Sequence, residues 1–439
     1  MGFLSIFLFF IGFFSFLKKQ KHITLVVIIL LSTSYFNFAV NYFLLGPISL
    51  QHGDLALLLI FILILVRNKQ SDKQLKGIKK ALNLFFIFLI ISISYDFLVR
   101  GTSLLQIFRT TREIGYLMFF FLINSFSWRD YQRLYHFLVV ITTFHAILYI
   151  SQYVFNYSYT PYADSLRVSI TNELGGSRYT NGPYYIIPIF VILVFLYSKQ
   201  KKKYGLQLIM FFISILLAQS RGNITSAIFI IFLYFYIENK ISIGTLLLTP
   251  FFAFLGYNLI LYIFPVITVR FSSLTSDFSL INSIDYNNLE TLRHKGSLLF
   301  RYGLSYERFM YVINDPIKIL LGVGFVPDID ILEPIFSLGT HSPLLPTGFE
   351  QFNTADVFFP NIITRFGILG SILFINIIIK LMNFGFKNKK LFWGKILFTY
   401  IISLLIISFS SNTFYNEQIF LMIFIFAASI LFEKHQISQ

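Results

Sequence analysis

Residues 357–381 read VFFPNIITRFGILGSILFINIIIKL and contain only two charged side chains, Arg365 and Lys380. An α-helix needs about 20 mainly apolar residues to cross about 30 Å of hydrocarbon, so this run is long enough for one membrane span. The whole chain shares its character, because 56% of the 439 residues are hydrophobic and only 13% are charged. With a mean hydropathy of +0.72, the composition predicts a membrane protein.

Apolar runs of this kind recur along the chain. They predict an all-α polytopic membrane protein with about 13 transmembrane helices. The predicted segments are 3–17, 23–45, 53–66, 81–99, 104–125, 134–155, 183–198, 204–219, 223–237, 241–265, 357–381, 394–411 and 417–433.

These segments divide the chain into three parts. Residues 1–265 hold the first ten helices and a medium outer loop at 156–182, and residues 357–439 hold the last three helices and a tail. Between them, residues 266–356 form one large outer loop. Loops of this length in compact proteins are usually functional or disordered. This one contains apolar residues throughout, which favours an ordered cap with helices of its own, such as one around 297–313.

The basic residues predict the orientation. Clusters follow every odd-numbered segment, from Lys18, Lys19 and Lys21 after the first to Lys434 after the last. By the positive-inside rule, the N-terminus lies outside and the C-terminus in the cytoplasm of a multi-pass protein of the cytoplasmic membrane. The predicted inner face carries 22 basic and four acidic residues, and the outer side carries the remaining 13 basic and 16 acidic ones.

Several classes of chemistry are excluded or unnecessary. The formal charge of +15 is explained by topology, so membrane lipids and not nucleic acid are the expected partners. The absence of cysteine excludes disulfides and thiolate metal sites. The sequence shows no P-loop, no nucleotide-binding glycine fingerprint and no metal-binding cluster, so we expect neither a cofactor nor a metal.

Lysine and arginine are distributed differently between the two faces. Of the 22 predicted inner basic residues, 19 are lysine, whereas all but Lys295 and Lys318 of the 13 others are arginine. Any cation resists translocation, but arginine is preferred where phosphate or carboxylate is bound by two parallel hydrogen bonds. The bias predicts an anionic ligand for some of the outer arginines.

One such arginine interrupts two apolar runs in LLAQSRGNIT, residues 216–225. Arg221 lies there in a short predicted outer turn, where Gly222 permits a tight backbone and Ser220 can cap the next helix. A snorkelling arginine at a helix end is one interpretation. The other is a seat for a lipid phosphate, formed by the cation beside a helix N-terminus that already favours anions.

Further glycine motifs follow, with LLGVGF at 320–325, THSPLL at 340–345 and GILG at 367–370. A Ser-Arg-Gly turn opening a helix, a large outer loop, a Gly-x-Gly near its end and a Gly-x-x-Gly opening the next helix resemble the O-antigen polymerase and ligase family. The resemblance covers about residues 204–381, and the predicted helix count is compatible with it.

The resemblance implies that the protein polymerises undecaprenyl-diphosphate-linked oligosaccharide repeat units into O-antigen, capsule or exopolysaccharide on the outer membrane face. A chain-length regulator protein is a further implied partner. The departing diphosphate needs fixed positive charge, and the acceptor hydroxyl needs a general base. The candidates for the diphosphate are Arg221, Arg308 and Arg365, and those for the base are Asp356, His341 and Glu307.

Two alternatives remain open. The ligase branch of the family typically carries a His-Asn pair about eleven residues before the first glycine of Gly-x-x-Gly, but counting back from Gly367 reaches Asp356. This departure favours a polymerase over a ligase-type glycosyltransferase. A flippase for lipid-linked oligosaccharides is less consistent, because the predicted helix interiors carry few charges and the outer loop is large.

Overall fold

The structure is a computed structural model, and the part of the chain that it describes is mostly helical. The described residues are 2–36, 38, 42–45, 48–67, 73–155, 157, 168–171, 176–179, 182–198, 200–218, 220–238, 297–326, 335–341, 349–351, 354, 357–409 and 411–438.

The helices before the large loop are α1 (Gly2–Leu17), α2 (Lys21–Ser32), α3 (His52–Val66), α4 (Lys76–Leu98), α5 (Leu104–Gly115), α6 (Trp128–Phe155), α7 (Ile186–Tyr197), α8 (Lys201–Leu217) and α9 (Arg221–Ile237). Those within and after it are α10 (Ser297–Ile313), α11 (Pro316–Leu321), α12 (Phe358–Lys387), α13 (Phe392–Ser408) and α14 (Glu417–Ser438). The 3-10 helices in the described part of the chain are Lys73–Leu75, Tyr116–Ser125 and Thr413–Tyr415.

A helix occurs in twelve of the thirteen predicted segments, and the thirteenth, 241–265, lies outside the described residues. Within the described ranges, α4, α6, α12 and α14 are long and apolar enough to cross a membrane. Seven further apolar helices are shorter. A membrane protein is therefore supported, whereas the number of crossings stays a prediction. The helix expected around 297–313 is present as α10.

Two predicted segments are interrupted. Segment 23–45 is helical only to Ser32, because Ser34, Tyr35 and Phe36 adopt positive φ angles that end the helix. Segment 104–125 begins as α5 and continues as the 3-10 helix Tyr116–Ser125. Hydropathy alone carries no information about such changes of backbone conformation.

Among the described residues, three two-stranded antiparallel sheets qualify the all-α prediction. They pair β1 (Tyr42–Leu45) with β2 (Ile48–Gln51), β3 (Val168–Thr171) with β4 (Gly176–Tyr179), and β5 (Gly339–His341) with β6 (Phe349–Gln351). The strands have three or four residues each, so the helices carry the architecture.

One continuous apolar core joins most of the helices. Helix α12 packs against α4, α10, α11 and α13, and α13 packs in turn against α9, α7 and α14. A second small cluster joins Leu299 and Leu304 of α10 to Leu338 and Val357. This cluster fastens the described part of the large loop to the beginning of α12.

Contacts between residues far apart in the chain join residues that were predicted on the same side of the membrane. Lys395 pairs with Glu238 at 2.6 Å, and the ammonium group of Lys434 donates to Gln74 at 2.9 Å. All four were predicted on the inner side. At the other end, Arg100 donates a hydrogen bond to the Gly322 carbonyl at 2.7 Å, and both residues were predicted on the outer side.

Candidate functional site

The LLGVGF motif contacts charged side chains from α4, from the turn after α4 and from α12. Asp96, at the end of α4, accepts a hydrogen bond from Arg100 at 2.6 Å through one carboxylate oxygen. Its other oxygen accepts from the Phe325 amide, also at 2.6 Å. Arg100 bridges onward to the Gly322 carbonyl, and the Thr110 hydroxyl donates to the Phe325 carbonyl at 3.1 Å. Asp96 is fully buried, so these bonds replace water around its charge.

Arg365 holds the same motif from the opposite side. It is buried on α12 and donates to the carbonyl of Gly324 at 3.4 Å and to that of Val326. We call the assembly of Asp96, Arg100, Arg365 and residues 322–326 the glycine clamp. It connects the segment that follows α11 to α4 and α12, two of the helices that are long and apolar enough to cross a membrane.

Two motif glycines are needed where other groups approach the backbone closely in this clamp. Gly324 has a φ of +111°, and a Cβ there would lie 2.5 Å from Arg100 Nη1 and 2.6 Å from an Asp96 oxygen. Gly367 has φ +66°, and a Cβ there would lie 2.6 Å from the Ile319 carbonyl oxygen. The break at Gly367 also leaves the Thr364 carbonyl free to accept from Val323 N at 2.7 Å. Gly324 therefore leaves room for the side chains of Asp96 and Arg100, and Gly367 leaves room for the backbone at the end of α11.

Glu307 and Arg308, adjacent on α10, form an ion pair. The second carboxylate oxygen of Glu307 accepts hydrogen bonds from the amide and hydroxyl of Ser337 at 2.6 and 2.5 Å, and from the Leu338 amide at 3.1 Å. Arg308 is fully buried with its guanidinium 3.8 Å from the Phe336 ring centroid. Both oxygens of Glu307 are occupied, so action as a base would require breaking these bonds.

The candidates for the diphosphate fall into two groups. Arg308 and Arg365 belong to α10 and α12, which pack against each other. Arg221 is the first residue of α9, whose neighbours include α13, α7 and α8. The expected cap is confirmed, because the Ser220 hydroxyl accepts from the Asn223 amide at 3.5 Å.

A cavity of about 340 Å³ adjoins the beginning of α9. Its lining includes Asn223 from the first turn of α9, Tyr400 from α13, Tyr184, Asn412, Asn416 and Gln418. None of the sixteen described lining residues is charged. We call this cavity the amide pocket.

Neutral amides and hydroxyls suit a ligand rich in hydroxyl groups. A carboxamide both donates and accepts hydrogen bonds, as a hydroxyl does. The side-chain oxygen of Asn412 is buried and has no hydrogen-bond partner among the described residues. A buried acceptor of this kind favours a ligand that donates to it. The volume lies within the roughly 300–1,000 Å³ range of small-molecule pockets.

The two remaining base candidates are described only in part. His341 ends β5 and pairs with Phe349 of β6, and its side chain is outside the described groups. Asp356 lies outside the described residues. Their proposed role as base therefore stays a prediction.

Sequence reasoning did not single out Asp96 or the amides of the pocket. Asp96 precedes Arg100 by four residues, and an Asp-Arg pair at this spacing near the end of an apolar helix indicates an ion pair. The lining of the amide pocket comes from separate segments around residues 184, 223, 400 and 412–418. The sequence alone does not show that these segments lie close together.

Asp315 caps α11, the helix that directly precedes the glycine clamp. Its carboxylate caps α11 by accepting from the amides of Ile317 at 2.8 Å and Lys318 at 3.4 Å. The hydrogen bond from Ile317 is the main cause that holds the pKa of Asp315 below its ordinary value of 3.8. A charged cap at this end also complements the helix dipole.

Comparison with known proteins gives no match. No protein-family model matches the chain, and neither a curated protein nor a solved structure matches it.

Proposed function

We propose that this protein is a membrane glycosyltransferase that polymerises polyprenyl-diphosphate-linked oligosaccharide repeat units. The carrying observation is the amide pocket, whose neutral hydrogen-bonding side chains and tyrosines include Asn223, two residues after Arg221 at the beginning of α9. A sugar offers hydroxyl groups to the amides and a lipid diphosphate offers negative charge to Arg221. This combination of ligand groups fits a lipid-linked oligosaccharide.

In this proposal Arg221 binds the diphosphate of the donor. It stands at the N-terminus of α9, where the first amides of the helix and its dipole add to the attraction for an anion. The bond from the anomeric carbon to the diphosphate breaks, and the charge that develops on the leaving oxygen is stabilised by these groups. Asn223, two residues later in the same turn, places the sugar beside them.

A hydroxyl of the acceptor repeat unit forms the new glycosidic bond and gives up its proton. Asp356 and His341 are the proposed bases, because a carboxylate or neutral imidazole can accept this proton. Glu307 is the weaker candidate in view of its four hydrogen-bonded contacts. Arg308 and Arg365 remain proposed contacts of the diphosphate, although their described bonds suit a structural role.

The reaction is proposed for the outer face of the cytoplasmic membrane. The glycine clamp, the beginning of α9 and the amide pocket are built from predicted outer residues and from residues of the adjoining predicted membrane segments. The membrane supplies both lipid-linked substrates, so no nucleotide sugar is required. With this orientation the C-terminal end of α14 is cytoplasmic.

The test uses membranes that contain the protein and a purified lipid-linked repeat unit, without nucleotide sugars. The parent should extend the repeat unit, and Asn223→Ala and Asn412→Ala should shorten the products. Gln132→Ala removes an exposed amide from α6 outside the pocket and is the matched control. Protein level and the midpoint of thermal unfolding are measured for each variant.

The possible outcomes test the polymerase activity and the role of the amide pocket separately. If the parent cannot extend the repeat unit, the polymerase proposal is wrong. If the parent is active and both pocket variants behave like Gln132→Ala, the class stands but the amide pocket is not its sugar site.

A further inference from the structure

A second cavity lies at the opposite end of the molecule from the glycine clamp. It has a volume of about 1050 Å³ and is formed by the turn between α1 and α2, the turn before α6, Gln74 and the end of α14. Its basic lining residues are Lys19, Lys21, His22, Arg129, Arg133 and His435. We call it the basic cavity.

Positive charge exceeds negative charge among the residues that line this cavity. Lys19, Lys21, Arg129 and Arg133 face one carboxylate, that of Asp130. Asp130 is engaged by the amide and hydroxyl of Ser127, at 2.8 and 2.7 Å, and by the His22 amide at 3.1 Å. Among the ion pairs in the described ranges, none includes Arg129 or Arg133, and both side chains are exposed.

The type of cation is also unusual for this face. Only three of the 22 predicted inner basic residues are arginine, namely Arg67, Arg129 and Arg133. Arg67 lies 5.7 Å from the Phe121 ring centroid, while the other two both line the basic cavity. Topology needs only positive charge, whereas a planar guanidinium adds bidentate binding of phosphate.

Both tryptophans of the chain lie near the basic cavity. The chain has two tryptophans, and their ring centroids are 6.0 Å apart at this end of the helix bundle. Trp128 directly precedes the cavity residue Arg129, and Trp393 is near the beginning of α13. Tryptophan is enriched at the level of the lipid headgroups. We therefore expect the basic cavity to open at the level of the lipid headgroups, where phosphate groups are abundant.

We propose that the basic cavity binds the phosphate group of an anionic ligand, with Arg129 and Arg133 as its principal contacts. The source that fits the location is the headgroup of an acidic phospholipid, since basic pockets between membrane helices on the cytoplasmic side hold such headgroups. The volume suits a headgroup better than a single ion, because it reaches the upper end of the range for small-molecule pockets. This site is independent of the proposed glycosyl transfer.

The experiment measures lipid binding by the purified full chain. The protein is placed in phosphatidylcholine bilayers with or without phosphatidylglycerol, and bound lipid is counted by native mass spectrometry together with thermal unfolding. Arg129→Gln with Arg133→Gln removes two charges from the cavity. Lys79→Gln with Lys80→Gln is the control, because it removes two exposed charges of the same predicted face outside the cavity.

Phosphatidylglycerol should bind the parent and the lysine control alike and should raise their unfolding midpoints. The arginine double variant should bind it roughly 30-fold more weakly, because it loses two direct contacts with the phosphate that contribute about 1 kcal/mol each. Equal losses in both double variants would show a diffuse effect of surface charge, and no loss in either would remove the site. Both results overturn the proposal.

A second arm distinguishes the possible sources of phosphate. Inorganic phosphate and pyrophosphate are added to the parent in phosphatidylcholine bilayers. Protection by these ions that is lost in the arginine double variant would support the site and identify a soluble phosphate as its ligand. Arg129→Lys with Arg133→Lys keeps the charge and tests for misfolding. It should fold like the parent and bind with intermediate affinity, and parental affinity would contradict bidentate recognition.

Discussion

Asp96 and Phe325 are 229 residues apart in the chain, and a hydrogen bond of 2.6 Å joins the carboxylate of the first to the amide of the second. The same carboxylate pairs with Arg100, so one buried acidic group connects the end of α4 to the segment that follows α11. Its removal should loosen both connections together.

The substitution Asp96→Asn tests this connection. Asparagine keeps a hydrogen-bond acceptor for Phe325 but leaves the Arg100 cation without its partner. We expect a loss of about 1.5–3 kcal/mol in the free energy of unfolding, the usual value of a hydrogen bond to a charged group. Thermal unfolding in detergent measures it, and Asp130→Asn serves as a comparison at the other end. Parental stability of Asp96→Asn would show that the glycine clamp contributes little.

The substitution Gly324→Ala tests the same clamp without changing a charge. Alanine at this position would have to adopt a positive φ angle. Its methyl group would lie 2.5 Å from Arg100 Nη1 and 2.6 Å from an Asp96 oxygen. Strain of this kind costs on the order of 1–3 kcal/mol. We expect a lower midpoint of thermal unfolding. Gly77→Ala is the control, because a Cβ at Gly77 has nothing within 4 Å, and this variant should unfold like the parent or later.

The substitution Arg365→Lys separates two roles of one residue. If Arg365 acts through the clamp, lysine should lower stability and polymer yield together, to the extent that Gly324→Ala does, because both disturb the backbone at 322–326. We expect this result. Loss of polymer at parental stability would instead assign Arg365 to the diphosphate. The two quantities are measured on the same membrane preparations.

Helices could be predicted from this sequence, because a membrane span depends mainly on length and hydropathy, both of which are visible in runs such as 357–381. The break at Gly367 inside that run could not be placed. Glycine is tolerated in membrane helices, and only the approach of the Ile319 and Gly322 backbones requires a positive φ there.

The candidate site was predictable to a smaller degree. The cap formed by Ser220 follows from local sequence rules, and the structure confirms it. The partners of Arg308 and Arg365 are a ring and backbone carbonyls from other elements, and no sequence rule names a carbonyl. The motif Gly-x-Gly was visible, but its contact with Asp96 depends on a pairing across 229 residues.

Asp315 gives α11 a dependence on pH. The pKa of its carboxyl group is lowered in the folded protein by the hydrogen bond from Ile317. Its stabilisation of α11 is therefore complete above the unfolded-state pKa and is lost as the pH falls through the lower folded-state pKa. Hydrogen exchange of α11, corrected for intrinsic rates, should show weaker protection at low pH in the parent. In Asp315→Asn, whose cap does not titrate, protection should not change over this range, and an equal change would exclude Asp315 as the cause.

Arg221→Lys is the sharpest test of the proposed chemistry. Lysine keeps the positive charge and can still reach the interface, but it lacks the planar fork that binds two phosphate oxygens at once. Loss of one preorganised contact to a leaving group typically lowers the rate on the order of 10²–10³-fold. We therefore expect Arg221→Lys to reach the membrane in normal amount and to form only short products from the lipid-linked repeat unit. Arg109→Lys, another predicted outer arginine, is the matched control and should form long products. Parental chain length in Arg221→Lys would reduce Arg221 to an anchor at the end of α9 and would leave the amide pocket without its proposed diphosphate partner.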